Sequence, residues 1–267
     1  MRAVSLHPDV IVVTSALLQV NCTIVRGPAR TDRTDQEAEA LVIDSPVLPE
    51  ELELLPSLIL QSGFPSPSGL LATHGDWDHL LGRLAFPTVS LGAAESTAGR
   101  LAAVPGASQR ELRDFDEDLY LDRPAPLALG SVQGLPVPGR CGIGEHDLEL
   151  HPAAGHTIDG MSVWVPWAHV LAAGDYLSPV EIPTLGHGGD VGAYLATLER
   201  LRPLVERSEH VVPGHGPVID RARALRVLEE DLAYLSSLVE PGPEPELPAG
   251  RRTRGQRRLH AANVSAL

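Results

Sequence analysis

The chain has 267 residues, of which 43% are hydrophobic and 21% are charged, as in an ordinary globular protein with a substantial core. Its formal net charge of −14 disfavours a general surface for polyanions, so we expect no nucleic acid partner. The sequence contains no lysine, and all 21 basic residues are arginines. A lysine nucleophile or Schiff base within the chain is therefore excluded.

The cysteines and the apolar runs indicate in which cellular compartment the protein is expected. The two cysteines, Cys22 and Cys141, are too few for a disulfide framework, and we expect both to be inert thiols. The apolar run at residues 10–20 is interrupted by Thr14, Ser15 and Gln19 and is too short to span a bilayer. It is better interpreted as a core strand, and we predict a cytoplasmic protein with no membrane contact.

Strands and helices alternate along most of the chain. Short β-rich or apolar runs predict strands at residues 10–13, 22–25, 41–43, 69–72, 88–91, 128–137, 146–150, 161–165, 169–173 and 210–212. Helical spacing predicts helices at residues 49–60, 93–103, 193–206 and 220–239, and an acidic helix or lid at 109–121. This strand–loop–helix rhythm occurs in each half, which predicts an α/β protein with two sheets inside and helices outside.

Composition changes near residue 240 suggest a boundary. We predict one domain over residues 1–240, followed by a linker at 241–250 that holds four prolines and two glycines. Residues 251–267 then form a tail with five arginines, and its apolar end is compatible with a short helix docked on the domain. The basic run is more typical of a solvated face than of an arm for nucleic acid.

The most informative stretch is Thr73-His74-Gly75-Asp76-Trp77-Asp78-His79. Four side chains that can bind metals fall within six residues, and an apolar strand precedes them. Imidazoles and carboxylates packed this closely leave buried polar atoms unpaired unless a cation lies among them. The stretch therefore predicts a divalent metal site in a tight turn after a strand.

Three further turns carry one side chain of the same type each. They are Gly155-His156-Thr157, Gly174-Asp175 and Gly214-His215-Gly216, each next to a predicted strand. Strand ends are rigid supports, as a metal site requires, and glycine permits tight turns there. We expect His156, Asp175 and His215 to complete the site. His187, in a glycine-rich loop, is predicted to reach the mouth of the site and to bind substrate.

These four segments together resemble the metallo-β-lactamase-fold superfamily, in particular its glyoxalase II-like metal-dependent hydrolases. The resemblance covers roughly residues 10–240 and implies a four-layer αββα sandwich with two metals at one edge. It implies a first metal on His74, Asp76 and His156. It implies a second on Asp78, His79 and His215, with Asp175 as the bridge.

One position departs from the usual pattern. The second ligand of the motif is normally a histidine, and here it is Asp76. A carboxylate is a harder ligand with a negative charge, so zinc is expected but iron or manganese becomes more plausible. The same departure resembles di-iron flavoproteins that reduce oxygen or nitric oxide. Only some 50 residues follow His215, which leaves no room for their flavodoxin domain.

The predicted reaction is hydrolysis of an ester, thioester or lactone by a hydroxide held between the two metals. Zinc can lower the pKa of a bound water from 15.7 to roughly 7. Asp78 is the predicted catalytic residue, which orients the nucleophile and shuttles its proton. The alternatives are a di-iron redox protein supplied with electrons by a partner, and a non-catalytic metal-binding regulator.

The remaining expectations concern partners and specificity. We predict a small-molecule substrate and a monomer or homodimer. The loop at residues 178–190, the acidic segment at 109–121 and the tail are the predicted sources of specificity.

Overall fold

Two β-sheets form the centre of the molecule, and they organise everything else. The structure is a computed structural model that describes residues 1–27, 38–239 and 246–267. Half of the predicted linker at 241–250 lies outside the described residues. The described strands and helices follow in chain order.

The first sheet has seven strands in sequential order, from β1 to β7. Its strands are β1 (Arg2–His7), β2 (Val10–Thr14), β3 (Asn21–Arg26), β4 (Ala40–Ile43), β5 (Gly69–Ala72), β6 (Leu91–Ala94) and β7 (Val132–Leu135). The first four strands pair antiparallel, whereas β4 to β7 run parallel. Parallel strands need crossover connections, and helices provide them here.

The second sheet has six strands in the order β13-β12-β11-β10-β9-β8. They are β8 (Gly139–Ile143), β9 (His146–Pro152), β10 (Met161–Val165), β11 (Val170–Gly174), β12 (His210–Pro213) and β13 (Ile219–Asp220). Only β11 and β12 pair in parallel. The ends of β11 and β12 therefore meet at one edge, where Asp175 and His215 follow them.

The helices cover the outer faces of the sheets. They are α1 (Pro49–Gln61), α2 (Gly82–Ala85), α3 (Glu95–Ala103), α4 (Ala107–Leu119), α5 (Val191–Arg207), α6 (Arg221–Val239) and α7 (Arg254–Ala266), with short 3-10 helices at Trp77–His79 and Pro166–Ala168. Asp190 caps α5 by accepting a hydrogen bond from the Ala193 amide at 2.7 Å. Asp220 caps α6 in the same way, with the Arg223 amide at 2.7 Å.

Three apolar cores separate the layers. One joins the sheets and contains Ile43 and Leu71 from the first sheet and Val163 from the second. The outer face of the first sheet packs on α1, and that of the second on α5 and α6. Because each sheet buries both faces, its central strands are apolar throughout, as their sequences indicate. The predicted four-layer αββα sandwich is confirmed.

Several described segments differ from the predicted elements, among them β8 and β13, which no predicted strand covers. Strand β1 was not predicted, because its exposed and half-buried side chains give no apolar run. The strand predicted at residues 88–91 begins instead at Leu91, and the helix predicted from residue 93 begins at Glu95. Alanines 93 and 94 favour a helix by propensity, but they complete a buried strand here.

The length and polarity of the helices decide whether one of them could cross a membrane. Within residues 1–27, 38–239 and 246–267, every helix is too short or too polar to cross a bilayer. Both cysteines are free thiols; Cys22 is buried and Cys141 is partly buried.

Candidate metal centre

The turn after β5 presents the predicted ligands by a compact local structure. The chain leaves the strand at Ala72 and enters a 3-10 helix over Trp77–His79, closed by a hydrogen bond from the His79 amide to the Asp76 carbonyl at 3.1 Å. The chain then continues from this 3-10 helix into the short α2. Two bonds tie the turn to the second sheet, since the Met161 amide donates to the Thr73 carbonyl at 2.7 Å and the Gly75 amide to Asp159 at 3.1 Å.

All seven side chains predicted as metal ligands converge at the common edge of the two sheets. In each of three groups, one ligand atom per residue lies within 4.8 Å of the others. The groups are His74, Asp76 and His156; His74, His79 and Asp175; and Asp78, His79 and His215. Residues that are distant in the chain thus form one cluster.

The first group surrounds one carboxylate oxygen of Asp76. That oxygen, Oδ2, lies 3.6 Å from Nε2 of His74 and 3.5 Å from Nε2 of His156. The rings of the two histidines stand edge to face, with centroids 5.1 Å apart. Two imidazoles and one carboxylate facing each other in this way form a candidate group for binding a metal ion.

The second group consists of Asp78, His79 and His215. Oδ2 of Asp78 is 3.4 Å from Nε2 of His215 and 3.9 Å from Nε2 of His79. Asp175 stands between the two groups, with Oδ1 3.1 Å from His79 and Oδ2 3.3 Å from both His156 and His215. Its carboxylate therefore faces both sets of imidazoles.

Hydrogen bonds from the far side of each ring fix which nitrogen faces the centre. Nδ1 of His74 lies 3.1 Å from the Thr73 hydroxyl, Nδ1 of His156 lies 2.8 Å from the Thr184 carbonyl, and Nδ1 of His215 lies 2.9 Å from the Leu18 carbonyl. A carbonyl only accepts, so Nδ1 of His156 and of His215 carries the proton. Nε2 is then the free lone pair, as in histidines that bind metals.

Asp44, which follows β4, supports the cluster from behind. Its carboxylate accepts hydrogen bonds from the Thr73 amide at 2.8 Å and the Thr73 hydroxyl at 2.9 Å, and lies 3.0 Å from Nδ1 of His79. A carboxylate behind a ligating histidine orients its ring and raises its basicity. The sequence placed Asp44 at a strand end but gave it no role in the site.

A second supporting group, Arg100 and Asp159, was not predicted. Arg100, on α3, donates to Oδ1 of Asp76 at 2.7 Å and to Oδ1 of Asp159 at 2.7 Å. The other oxygen of Asp159 accepts from the Gly75 amide. Arg100 thus joins the motif turn to the loop that carries His156. Neither residue lies in a motif, so the sequence offered no signal for them.

The donor set fits metal ions. Nε2 of His74, His79 and His156 and Oδ1 of Asp175 are buried and, among the described residues, take part in no hydrogen bond. The 3.1 Å contact between His79 and Asp175 lacks hydrogen-bond geometry. Buried polar atoms without partners are costly, and here they all point to one centre. A pair of divalent cations would satisfy all of them.

The charges of the cluster are strongly coupled. Burial opposes a charge on His79, His156 and His215, but the neighbouring carboxylates outweigh it and raise the pKa of all three, for His215 to about 10. Burial likewise opposes a charge on Asp76 and Asp175, but the imidazoles hold the pKa of both below their usual range. Metal binding requires neutral imidazoles and would therefore compete with protons at this centre.

His187 lies at the solvent-exposed side of the cluster, next to Asp76. Its side chain is 42% exposed, and Nε2 is 3.9 Å from Oδ1 of Asp76 and 3.5 Å from Glu111 of α4. Tyr176, by contrast, is buried, and its hydroxyl donates to the Ala153 carbonyl and accepts from the His156 amide, both at 3.0 Å. Tyr176 therefore supports the His156 loop and does not face the centre.

Solved structures with the same architecture are metallo-beta-lactamases and their relatives. BLEG-1 B3 metallo-beta-lactamase matches with a TM-score of 0.58 and 22% identity, over 80% of this chain and 95% of that one. A metallo-beta-lactamase family protein from Thermus thermophilus matches with a TM-score of 0.63 and 18% identity, over 90% and 86%. A protein solved in a di-iron-bound form matches with a TM-score of 0.58 and 22% identity, over 81% and 97%. At these identities the likeness shows the fold.

Curated relatives match over shorter stretches. The metallo-beta-lactamase type 2 of Bacillus sp. (strain 170) is 33% identical over 82 residues, which is 30% of this chain and 32% of the relative. The beta-lactamase-like protein 2 homolog of Caenorhabditis elegans is 33% identical over 78 residues, 28% of this chain and 23% of that protein. The match therefore spans a third or less of these relatives.

The family model described as the metallo-beta-lactamase superfamily matches residues 16–215. This range begins before β3 and ends at His215, so it includes all seven converging side chains. It also covers most of the chain. With the four-layer fold and the candidate metal-binding groups, this match shows that the chain belongs to the metallo-beta-lactamase superfamily.

Proposed function

We propose that this chain is a dinuclear metal-dependent hydrolase of esters, thioesters or lactones. One observation carries the proposal: seven imidazoles and carboxylates converge at one sheet edge, and four of their buried ligand atoms have no hydrogen-bond partner among the described residues. Such a set is built to hold cations.

The two groups of side chains divide the ligands. His74, Asp76 and His156 would hold one metal, and Asp78, His79 and His215 the other, with Asp175 between them. When bound, a pair of divalent ions supplies Lewis acidity and makes water a nucleophile at neutral pH. The Nδ1 hydrogen bonds and Asp44 keep the rings aimed at the centre.

Asp78 is the residue that we assign to proton transfer. It lies in the 3-10 turn with its carboxylate 3.4 Å from Nε2 of His215, and its side chain is 12% exposed. A carboxylate has two oxygens, so one can bind a cation while the other accepts a proton from water. Its contact with His215 and its partial exposure support this assignment of Asp78 as the base.

His187 and Glu111 are assigned to the substrate side. Both are exposed enough to meet a ligand, and His187 lies next to Asp76 without belonging to any of the three groups. A ring nitrogen at this place can donate to the oxygen of an ester or thioester. We therefore propose that His187 orients the substrate.

A second candidate function is di-iron redox chemistry. Two observations favour it: Asp76 puts a hard carboxylate in the first group, and one structure of the same fold was solved in a di-iron-bound form. Zinc remains the metal that we propose, since the site holds four imidazoles. Manganese would be the other hard alternative.

The test begins with the metals of the purified protein. Zinc at two ions per chain, and turnover of an ester, thioester or lactone panel that chelator abolishes, would support the hydrolase. Asp78→Ala should lose about 10²-fold or more of that turnover, whereas Asp147→Ala, an exposed acid of the β8–β9 hairpin, should lose none. Two irons with visible absorption, and no hydrolysis in the panel, would instead favour the redox protein.

A further inference from the structure

The loop at residues 178–185 touches the candidate metal centre from outside. It follows Asp175 and supplies the carbonyl of Thr184, which accepts the hydrogen bond from Nδ1 of His156 at 2.8 Å. At its other end the Ser178 hydroxyl donates to the His215 carbonyl at 2.8 Å. One histidine from each of the two ligand groups is therefore held by this loop.

The loop has no regular secondary structure of its own, so its backbone must find partners elsewhere. Residues 251–263, which we name the clamp segment, supply them through side chains. The Arg251 guanidinium donates to the carbonyls of Ser178 at 3.2 Å and Glu181 at 2.8 Å. The Gln256 side chain accepts from the Ile182 amide at 2.7 Å.

Asn263 makes the last two of these contacts and is fully buried. Its side-chain oxygen accepts from the Leu185 amide at 3.0 Å, and its nitrogen donates to the Pro183 carbonyl at 2.6 Å. Five hydrogen bonds from three side chains thus reach the backbone from Ser178 to Leu185. Each gives a hydrogen-bond partner to a backbone group of the loop.

The clamp segment is itself anchored to α6. Arg251 is fully buried and pairs with Asp231 and with Glu230 at 3.0 Å. Asn263 also donates to the Tyr234 hydroxyl at 3.1 Å. The neighbouring arginines at 252, 254, 257 and 258 are exposed. Arg251 is therefore the one arginine of this run that the clamp segment buries. A rigid helix therefore stands behind the loop.

We propose that the clamp segment positions His156 and His215 through the 178–185 loop and thereby sets the affinity of the metal centre. Arg251, Gln256 and Asn263 are positioning residues, since none of them belongs to the ligand groups. This inference rests on the proposed metal site. Supporting side chains outside the ligand shell typically change metal affinity by about 10- to 100-fold.

The coupling must operate in both directions. If clamp contacts strengthen metal binding, metal binding strengthens the clamp contacts by the same factor. Amide hydrogen exchange in α7 should therefore slow when zinc is added to metal-free protein. Helix α1, which packs on the other sheet, should change less and serves as the internal reference.

The experiment compares zinc affinity, by competition with a chromophoric chelator, in Gln256→Ala, Asn263→Ala and the double variant. We expect about 10-fold weaker binding in each single variant and more in the double variant, with an altered cobalt spectrum in the substituted centre. Ser265→Ala, on the exposed face of α7, should bind zinc as the wild type does. Leu52→Ala, on the buried face of α1, should lower the melting temperature without weakening zinc binding.

The possible results separate the hypotheses. If wild-type protein binds no zinc, the proposed function itself fails. If it binds two ions and Asn263→Ala binds them equally well, the clamp inference is wrong. If Leu52→Ala weakens zinc binding as much as Asn263→Ala does at equal loss of stability, the effect is global, and the inference is equally overturned.

Discussion

Asp76 stands in the first group where the usual motif has a histidine, so this group has two imidazoles and one carboxylate. Its Oδ2 faces His74 and His156, whereas Oδ1 accepts a hydrogen bond from Arg100 at 2.7 Å. One oxygen is therefore committed to the guanidinium, and only the other faces the centre. The positive charge of Arg100 also offsets part of the negative charge of the Asp76 carboxylate. The net charge near Asp76 is therefore closer to that of a neutral histidine at the same position.

Arg100→Met tests this role. Without the guanidinium, Asp76 can rotate and the buried Asp159 loses its ion-pair partner, so we expect zinc affinity of the first group to fall about 10-fold or more. Titration with zinc should then show one tight and one weakened ion. Arg123→Met is the matched control, because Arg123 pairs with Asp116 away from the ligand groups. Equal zinc affinity in both variants would rule out positioning by Arg100.

Gly214 is the second residue on which the geometry depends. A Cβ atom there would stand 1.9 Å from Oδ1 of Asp175 and 3.0 Å from the carbonyl carbon of Gly174. Gly214→Ala must therefore displace the carboxylate that faces both groups, and we expect both metals to be lost. The check is metal content by mass spectrometry. Gly99→Ala, in α3 with open space around it, should retain both ions and gain up to about 1 kcal/mol of stability. Two tightly bound ions in Gly214→Ala would contradict the central placement of Asp175.

At the scale of elements, the long helices were the most predictable part of the chain. In α5, Leu198, Leu201 and Val205 lie at helical spacing, and all three are buried against the second sheet. Boundaries near β6 were not predictable, because alanine fits a helix as readily as a buried strand. Strand β1 pairs with β2 through its backbone, and its half-exposed side chains carry no pattern.

The mouth of the site is built by two elements, α4 and the loop before α5. The sequence predicted both as sources of specificity, and the structure brings Glu111 of α4 within 3.5 Å of His187 in the loop. His187 has a positive φ of 34°, a backbone conformation that asparagine tolerates better than alanine does. Asparagine is therefore the replacement for His187 that best preserves this backbone conformation.

His187→Asn is the corresponding test. If His187 orients the substrate, KM should rise about tenfold, equivalent to about 1.4 kcal/mol of binding, with two metals still bound. Steady-state kinetics on the best substrate of the panel, with metal content measured in parallel, check this. The control is His146→Asn on the exposed β8–β9 hairpin. An unchanged KM would remove His187 from the substrate site.

At the scale of the whole molecule, the site depends on contacts that join the two sheets. The sequence indicated the seven ligand-type residues, because each is adjacent to a glycine or another ligand at a strand end. It did not indicate Arg100 with Asp159, or Asp44 with His79, since such pairs arise only when distant elements pack. Arg251 lies in a run of arginines that resembles a solvated surface, and its burial arises from contacts with α6 and with the 178–185 loop. Local patterns thus predicted the residues that converge, and tertiary packing supplied the side chains that support them.

The pairing of Arg251 with α6 also predicts a pH dependence of global stability. Burial raises the pKa of Asp231 from its ordinary value of 3.8 to about 7, although Arg251 opposes the rise. Arg251, Glu230 and Arg223 are the charged groups that act on it. The folded protein then binds this proton more tightly than the unfolded chain does. The contribution of Asp231 to the free energy of unfolding is therefore full below about pH 4 and is lost as the pH rises toward 7.

Asp231→Asn isolates this contribution, because asparagine cannot ionise. At 1.36 kcal/mol per pH unit, the interval from 3.8 to about 7 corresponds to roughly 4 kcal/mol as an upper bound. The stability of the wild type relative to Asp231→Asn should therefore fall between about pH 4.5 and 7.5, as measured by urea unfolding of metal-free protein. Asp220→Asn, an exposed cap of the same helix, should show no such fall. A wild type that gains on Asp231→Asn over this interval would mean that the ion pair with Arg251 dominates burial, and the sign of the prediction would be wrong.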